Sequence, residues 1–240
     1  MAAEDQEPAR PGASDVLDGD LYPDLIRFGG LAAAMSRIAG SDDVALGEIR
    51  TTPGRWGHGR FIAADVATDR GAISVRLGVD RRLFSVSIAN DVHAWAEGST
   101  DDLAQVVRMA GAWRGGATLR ELHDGFPFMS YTALAQAYEA GDPVTVQWER
   151  LLSREIFEKE RPLLRAAHAE DRLRVLFPVV SHGSLVLRRD AQDRASEEFW
   201  IVPLAGGAFR VRSTKLSGSE REVASMDAAI DCVVSWSVVP

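Results

Sequence analysis

Ala72-Ile73-Ser74-Val75-Arg76-Leu77 and Leu83-Phe84-Ser85-Val86-Ser87-Ile88, with a short turn at Asp80-Arg81-Arg82 between them, carry the clearest structural pattern in the chain. Apolar and polar residues alternate in both runs. A period of two puts Ile73, Val75, Phe84, Val86 and Ile88 on one side of a strand and the Ser and Arg residues on the other. Working outward, Phe61-Ile62-Ala63-Ala64-Asp65-Val66 reads as a preceding strand and Val92-His93-Ala94-Trp95-Ala96 as a following one. Ser99 or Thr100 then suits a helix N-cap, with Asp101 and Asp102 at the positive end of the helix. Leu103, Val106, Val107, Ala110 and Trp113 form its apolar face. The block is an antiparallel meander covered by a helix.

The same plan recurs downstream. The first block opens on His58-Gly59-Arg60-Phe61, passes Phe84-Ser85-Val86 and closes on Trp113. The second opens on His182-Gly183-Ser184-Leu185, passes Phe209-Arg210-Val211 and closes on Trp236. The two sets of spacings agree to within two residues. Strands are expected over 185–188, 199–203 and 209–212, with Gly206-Gly207 as a hairpin turn and a last helix from about 225 to Trp236. Between the blocks, residues 115–175 read as helical, with Gly141 ending one helix and Pro162 kinking or restarting another. Near the N-terminus, Leu25, Phe28, Leu31, Ala32 and Met35 fall at helical spacing after Pro23, and Gly40 stops the pattern.

The class is therefore α+β, with two similar meander-plus-helix halves, about 45–114 and 176–240, joined by helices over about 115–175. Residues 1–20 carry six acids against one base, with little to bury, and read as a disordered acidic leader. Residues 21–240 are expected to form a single domain.

That leader holds most of the net charge of −8, so the body is nearly neutral. No basic stripe points to nucleic acid, and no polybasic or amphipathic segment to a membrane. The single cysteine, Cys232, lies in an apolar helical pattern and cannot form an intramolecular disulfide, which fits a cytoplasmic protein.

Chemistry is sparse. Histidine is the first candidate near neutral pH, and His58 and His182 hold equivalent places in the two blocks. Brought together by the pseudo-symmetry, they would line one pocket, with Arg60 or Arg188 as anion contacts. Otherwise each is a strand-start residue. Ser181 beside His182 does not read as a dyad, because adjacent strand residues point to opposite faces. There is no H-x-x-x-H, H-E-x-x-H or C-x-x-C, so no metal is expected. Neither glycine-rich nucleotide motif is present, and no cofactor is expected. Of the six tryptophans, Trp113 and Trp236 belong to apolar helix faces, while Trp56 and Trp95, near strand ends, are the candidates for a ligand surface.

Several segments together resemble a known family: Leu21-Tyr22-Pro23-Asp24, Trp113-Arg114, Val146-Gln147-Trp148-Glu149-Arg150-Leu151-Leu152, and above all Leu173-Arg174-Val175-Leu176-Phe177-Pro178-Val179-Val180-Ser181-His182-Gly183-Ser184-Leu185. This is similar to an actinobacterial family of unknown function whose members are labelled natural-product biosynthesis proteins. The resemblance spans residues 21–240 and implies a setting in specialised metabolism, with no catalytic residues to carry over. The expectation is a non-catalytic accessory or binding protein acting on a protein, peptide or pathway enzyme. Two alternatives stand beside it: an enzyme with its site at the junction of the halves, and an immunity-type protein that neutralises a toxin.

Overall fold

The alternation of residues 72–88 becomes the two central strands of a six-stranded antiparallel meander. The computed structural model describes residues 17–51 and 62–237. The strands run in sequence order: β1 (Ile49–Arg50), β2 (Ala63–Thr68), β3 (Gly71–Leu77), β4 (Phe84–Ala89), β5 (Ala94–Thr100) and β6 (Met129–Ser130). Val66, Ile73 and Ile88 lie in one cross-strand row, and Ala64, Val75 and Val86 in the next. All are buried, together with Phe84. This face packs against α2 (Leu31–Ser41) and α3 (Leu103–Arg114), which contribute Leu31, Met35, Val106, Val107 and Trp113. Each such side chain contributes roughly 1.5–3 kcal/mol of burial.

Two local details differ from the sequence reading. The pattern from Pro23 is two helices, α1 (Pro23–Phe28) and α2, because Gly29 (φ 84°) ends the first in the left-handed conformation and Gly30 (φ 123°) turns the chain. Helix α2 then runs through Gly40 to Ser41. The cap of α3 is Asp102, whose Oδ1 accepts from the Ala104 and Gln105 amides, because β5 extends through Ser99 and Thr100. Of the expected leader, residues 1–16 lie outside the described residues, while 17–20 enter a turn in which the Asp18 carboxylate accepts from the Asp20 and Leu21 amides.

A second antiparallel meander follows: β7 (Phe177–Ser181), β8 (Ser184–Arg188), β9 (Glu198–Pro203), β10 (Phe209–Ser213) and β11 (Arg221–Val223), again in sequence order. Leu185, Leu187, Phe199, Ile201 and Val211 pack under α6 (Pro143–Ser153), α7 (Arg161–Ala169), α8 (Asp171–Arg174) and α9 (Met226–Ser237), with Trp148 and Trp236 in the same core. Pro162 restarts the chain inside the first turn of α7, as its missing N–H allows.

Strand β7 adds to the three strands expected for this meander, and Pro178 lies within it. It is an edge strand, where a proline removes no ladder bond. Two side chains of α6 satisfy outward carbonyls at this edge: Gln147 Nε2 donates to Pro178 O (3.0 Å) and Trp148 Nε1 to Leu176 O (3.1 Å). That edge is thereby closed to pairing with another strand.

The chain divides into two compact units, Met1–Tyr131 and Thr132–Pro240. The helical middle is shared between them: α4 (Leu119–Gly125) belongs to the first, while α5 (Ala133–Ala140), α6, α7 and α8 belong to the second. Each unit has the order of a meander followed by a twelve-residue helix carrying a buried tryptophan, Trp113 in α3 and Trp236 in α9. Phe84 opens the strand two places before α3, and Phe209 the strand two places before α9.

Candidate functional site

The polar side of the first meander is a built surface. Ladder register sets Asp65, Ser74, Ser87, Glu97 and Ser130 in one row across β2 to β6. Arg76, Ser85 and Ser99 form the neighbouring row. Strands lie about 4.8 Å apart, so the five-residue row spans about 19 Å. Ser74, Arg76, Ser85, Ser87, Glu97, Ser99, Phe128 and Ser130 line a shallow open groove of about 560 Å³.

Its polar groups are partly fixed. Ser74 Oγ donates to Asp65 Oδ1 at 2.6 Å, and Arg76 reaches the same oxygen at 3.3 Å. Ser130 Oγ donates to the Glu97 carbonyl at 3.1 Å. Serine hydroxyls both donate and accept, so the rows offer hydrogen bonds in either sense, with one cation and two carboxylates around them.

One wall of the groove depends on a glycine. A Cβ at Gly98 would stand 2.2 Å from the Phe128 carbonyl oxygen, so only glycine lets the 126–130 segment cross β5 this closely. The segment is held from its other side as well. His123 Nδ1 lies 2.6 Å from Met129 O, Met129 is buried, and the Phe126 and Phe128 rings meet edge to face at 6.2 Å. Phe128 is half-buried at the end of the hydroxyl rows.

Of the sequence-derived candidates within the described residues, none lines this groove. Trp56, His58 and Arg60 lie outside the described residues. Trp95 is buried: its Nε1 donates to Arg70 O at 2.7 Å, and its ring meets His93 at 4.1 Å and Trp113 at 5.9 Å. The Arg70 guanidinium lies 3.4 Å from the centroid of the Trp113 ring. It also donates to the Trp113 and Ala117 carbonyls, satisfying acceptors at the negative end of α3. Burial pushes the His93 imidazole below its usual pKa and favours the neutral ring.

Arg188 forms a two-nitrogen pair with Glu198 Oε1, at 3.1 and 2.8 Å, with both side chains under one fifth exposed. Two of its three guanidinium nitrogens are engaged by that carboxylate. His182 is exposed and sits in the two-residue turn between β7 and β8, at the opposite end of β8 from Arg188. Its φ is 50° and that of Gly183 is 80°, the signature of a type I′ hairpin turn. This corrects the expectation that Ser181 and His182 point apart. His182 is a turn residue and not an extended one, so Ser181 Oγ and His182 Nδ1 meet at 3.1 Å.

Among the described residues, no group of three or more His, Cys, Asp or Glu side chains is placed to hold a metal ion, and no helix is long and apolar enough to cross a membrane. The groove itself escaped the sequence reading. Its signal was present, since the polar half of the 72–88 alternation is the Ser-Arg-Ser-Ser set that lines it. What the sequence could not supply was the register that aligns those residues with Asp65, Glu97 and Ser130.

Two antiparallel meanders, each backed on one side by helices, define the class of fold. Residues 142–236, within the second unit, match a family of unknown function (DUF6193). No curated protein and no solved structure matches the chain. The matched region includes the Val146–Leu152 and Leu173–Leu185 segments that carried the resemblance.

Proposed function

We propose that this chain is a non-catalytic binding or accessory protein that takes a protein or peptide partner on the polar face of its first sheet. One observation carries the reading: the groove of about 560 Å³, with serine hydroxyls from four adjacent strands aligned in two rows beside Phe128. Side chains rooted in paired strands lose little further freedom on binding, which favours a surface of this kind. The segments quoted above support a setting in a specialised-metabolite pathway of an actinobacterium. The lone cysteine and the lack of a basic stripe in the sequence support a cytoplasmic protein that does not act on nucleic acid.

The test is a photo-reactive residue at position 87, in the middle of the rows, with a second at Arg165 on α7 as control, each expressed in the native host. A discrete protein adduct from position 87, absent from position 165 and abolished by a groove-filling Ser85→Trp change, is the expected result. Identical adducts from both positions, or an adduct indifferent to Ser85→Trp, would refute the assignment.

A further inference from the structure

The contact between Ser181 and His182 leads to an inference independent of the groove and in the other unit. A serine hydroxyl and an imidazole adjacent in sequence meet only when the backbone leaves the extended conformation. Here it does so in the β7–β8 turn, which brings Ser181 Oγ within 3.1 Å of His182 Nδ1. With the ring proton on Nε2, Nδ1 accepts from the hydroxyl, the arrangement in which an imidazole can remove a serine proton during attack. The turn is tightly determined: Ser181 and Ser184 are paired across it, and Ser184 is buried. His182 is exposed, so an acyl donor can approach. A Cβ on Gly183 would lie 3.7 Å from Glu160 Oε1, which places a carboxylate beside the turn.

We propose that Ser181 and His182 form a base-assisted nucleophile that accepts acyl groups from activated esters and thioesters, making Ser181 a site of O-acylation. Ser181 Oγ attacks the carbonyl carbon while its proton passes to His182 Nδ1. The bond to the leaving group breaks, the leaving group departs as its anion (phenolate or thiolate), His182 hands the proton on to solvent, and an ester on Ser181 remains. No oxidant or reductant is needed.

The probe is p-nitrophenyl acetate, applied to the full chain for minutes at neutral pH, with acid quenching and peptide mapping by mass spectrometry. Ser181 is expected to be acetylated about tenfold faster than the exposed Ser36 and Ser153, below the hundredfold or more typical of base assistance in an enclosed active site. His182→Asn keeps a residue tolerant of positive φ while removing the base. It should bring Ser181 to within about twofold of those references, with an unchanged circular dichroism spectrum. A stopped-flow record of p-nitrophenolate covers an ester that hydrolyses before quenching: the fast phase should vanish in both Ser181→Ala and His182→Asn. Labelling of Ser181 no faster than Ser36, with no Ser181-dependent fast phase, overturns the proposal. So does a fast phase that survives Ser181→Ala, or labelling indifferent to His182→Asn.

Discussion

Replacing Asp24 with Asn tests how the first unit holds its N-terminal helix. Arg82, from the turn between β3 and β4, makes a two-pronged pair with Asp24 in α1, Nη1 to Oδ1 at 2.8 Å and Nη2 to Oδ2 at 2.9 Å. The same guanidinium donates to Leu21 O and Asp101 O and lies 5.6 and 5.1 Å from the Tyr22 and Phe84 ring centroids. Tyr22 adds a second tie, its hydroxyl donating to Gly78 O at 2.9 Å and accepting from the Leu83 amide at 3.0 Å. Both partners of the ion pair are about one third exposed, so solvent screens the pair and the full value of a buried charged bond does not apply. The bidentate geometry raises it above an ordinary surface pair. Together these place the cost of Asp24→Asn at about 1 kcal/mol. The Arg82 hydrogen bond is the largest cause holding the Asp24 carboxyl below its ordinary value of 3.8. A carboxylate with a depressed folded pKa contributes stability above its unfolded pKa and loses it as pH falls through the folded one. Urea denaturation followed by tryptophan fluorescence should therefore show a constant deficit for the variant between pH 5 and 8, narrowing below about pH 4. A deficit of the same size at the acid end, or none at pH 7, would refute the reasoning.

Gly98→Ala should cost about 2 kcal/mol or more and loosen the Phe128 wall, because the new methyl meets the Phe128 carbonyl at 2.2 Å; hydrogen exchange over residues 126–130 reads this directly. Trp148→Phe keeps most of the buried ring but strands the Leu176 carbonyl, and should lower stability by roughly 1–3 kcal/mol in urea titrations. His93 should titrate below its ordinary value of 6.5 in an NMR pH series, since burial disfavours its charged form. The stability this gives is complete above that value and lost as pH falls through the folded one. A His93 midpoint at or above 6.5 would contradict the burial argument.

How far the sequence could be read follows from which interactions are local. The alternation of residues 72–88 and the helical spacing of 103–113 are local, and both elements stand where the pattern puts them. Gly141 ends α5 in the left-handed conformation, and Gly206-Gly207 turn the chain between β9 and β10, for the same reason. Strand β6 consists of two residues inside a stretch read as helical, and exists only because Met129 and Ser130 pair with Gly98 and Glu97 some thirty residues back. Strand β7 depends on side chains of α6 to satisfy its carbonyls, and nothing near Pro178 announces them. Candidate site residues fared according to the same distinction. The sequence marks His182 and Arg188 as titratable or charged, but cannot show that one occupies a turn with positive φ or that the other is already paired with Glu198.

The two meanders share a plan yet decorate their polar faces with opposite chemistry. On the second sheet, cations and carboxylates are matched across strands: Arg188 with Glu198, Arg210 with Glu222 at 2.7 Å, and Arg212 over the Trp200 ring at 4.6 Å, whose Nε1 donates back to Glu198. A ligand binding there would have to break charge-assisted bonds before making its own, and each broken bond subtracts from the affinity. On the first sheet the corresponding face carries mostly serines, with Arg76 and Ser74 both reaching Asp65 Oδ1, at 3.3 and 2.6 Å. Hydroxyls exchange water for a partner's polar groups at little net cost. The likeness of the two units therefore argues against reading function from the repeat itself. Architecture is what the units have in common, and the chemistry of their polar faces is what distinguishes the first sheet from the second.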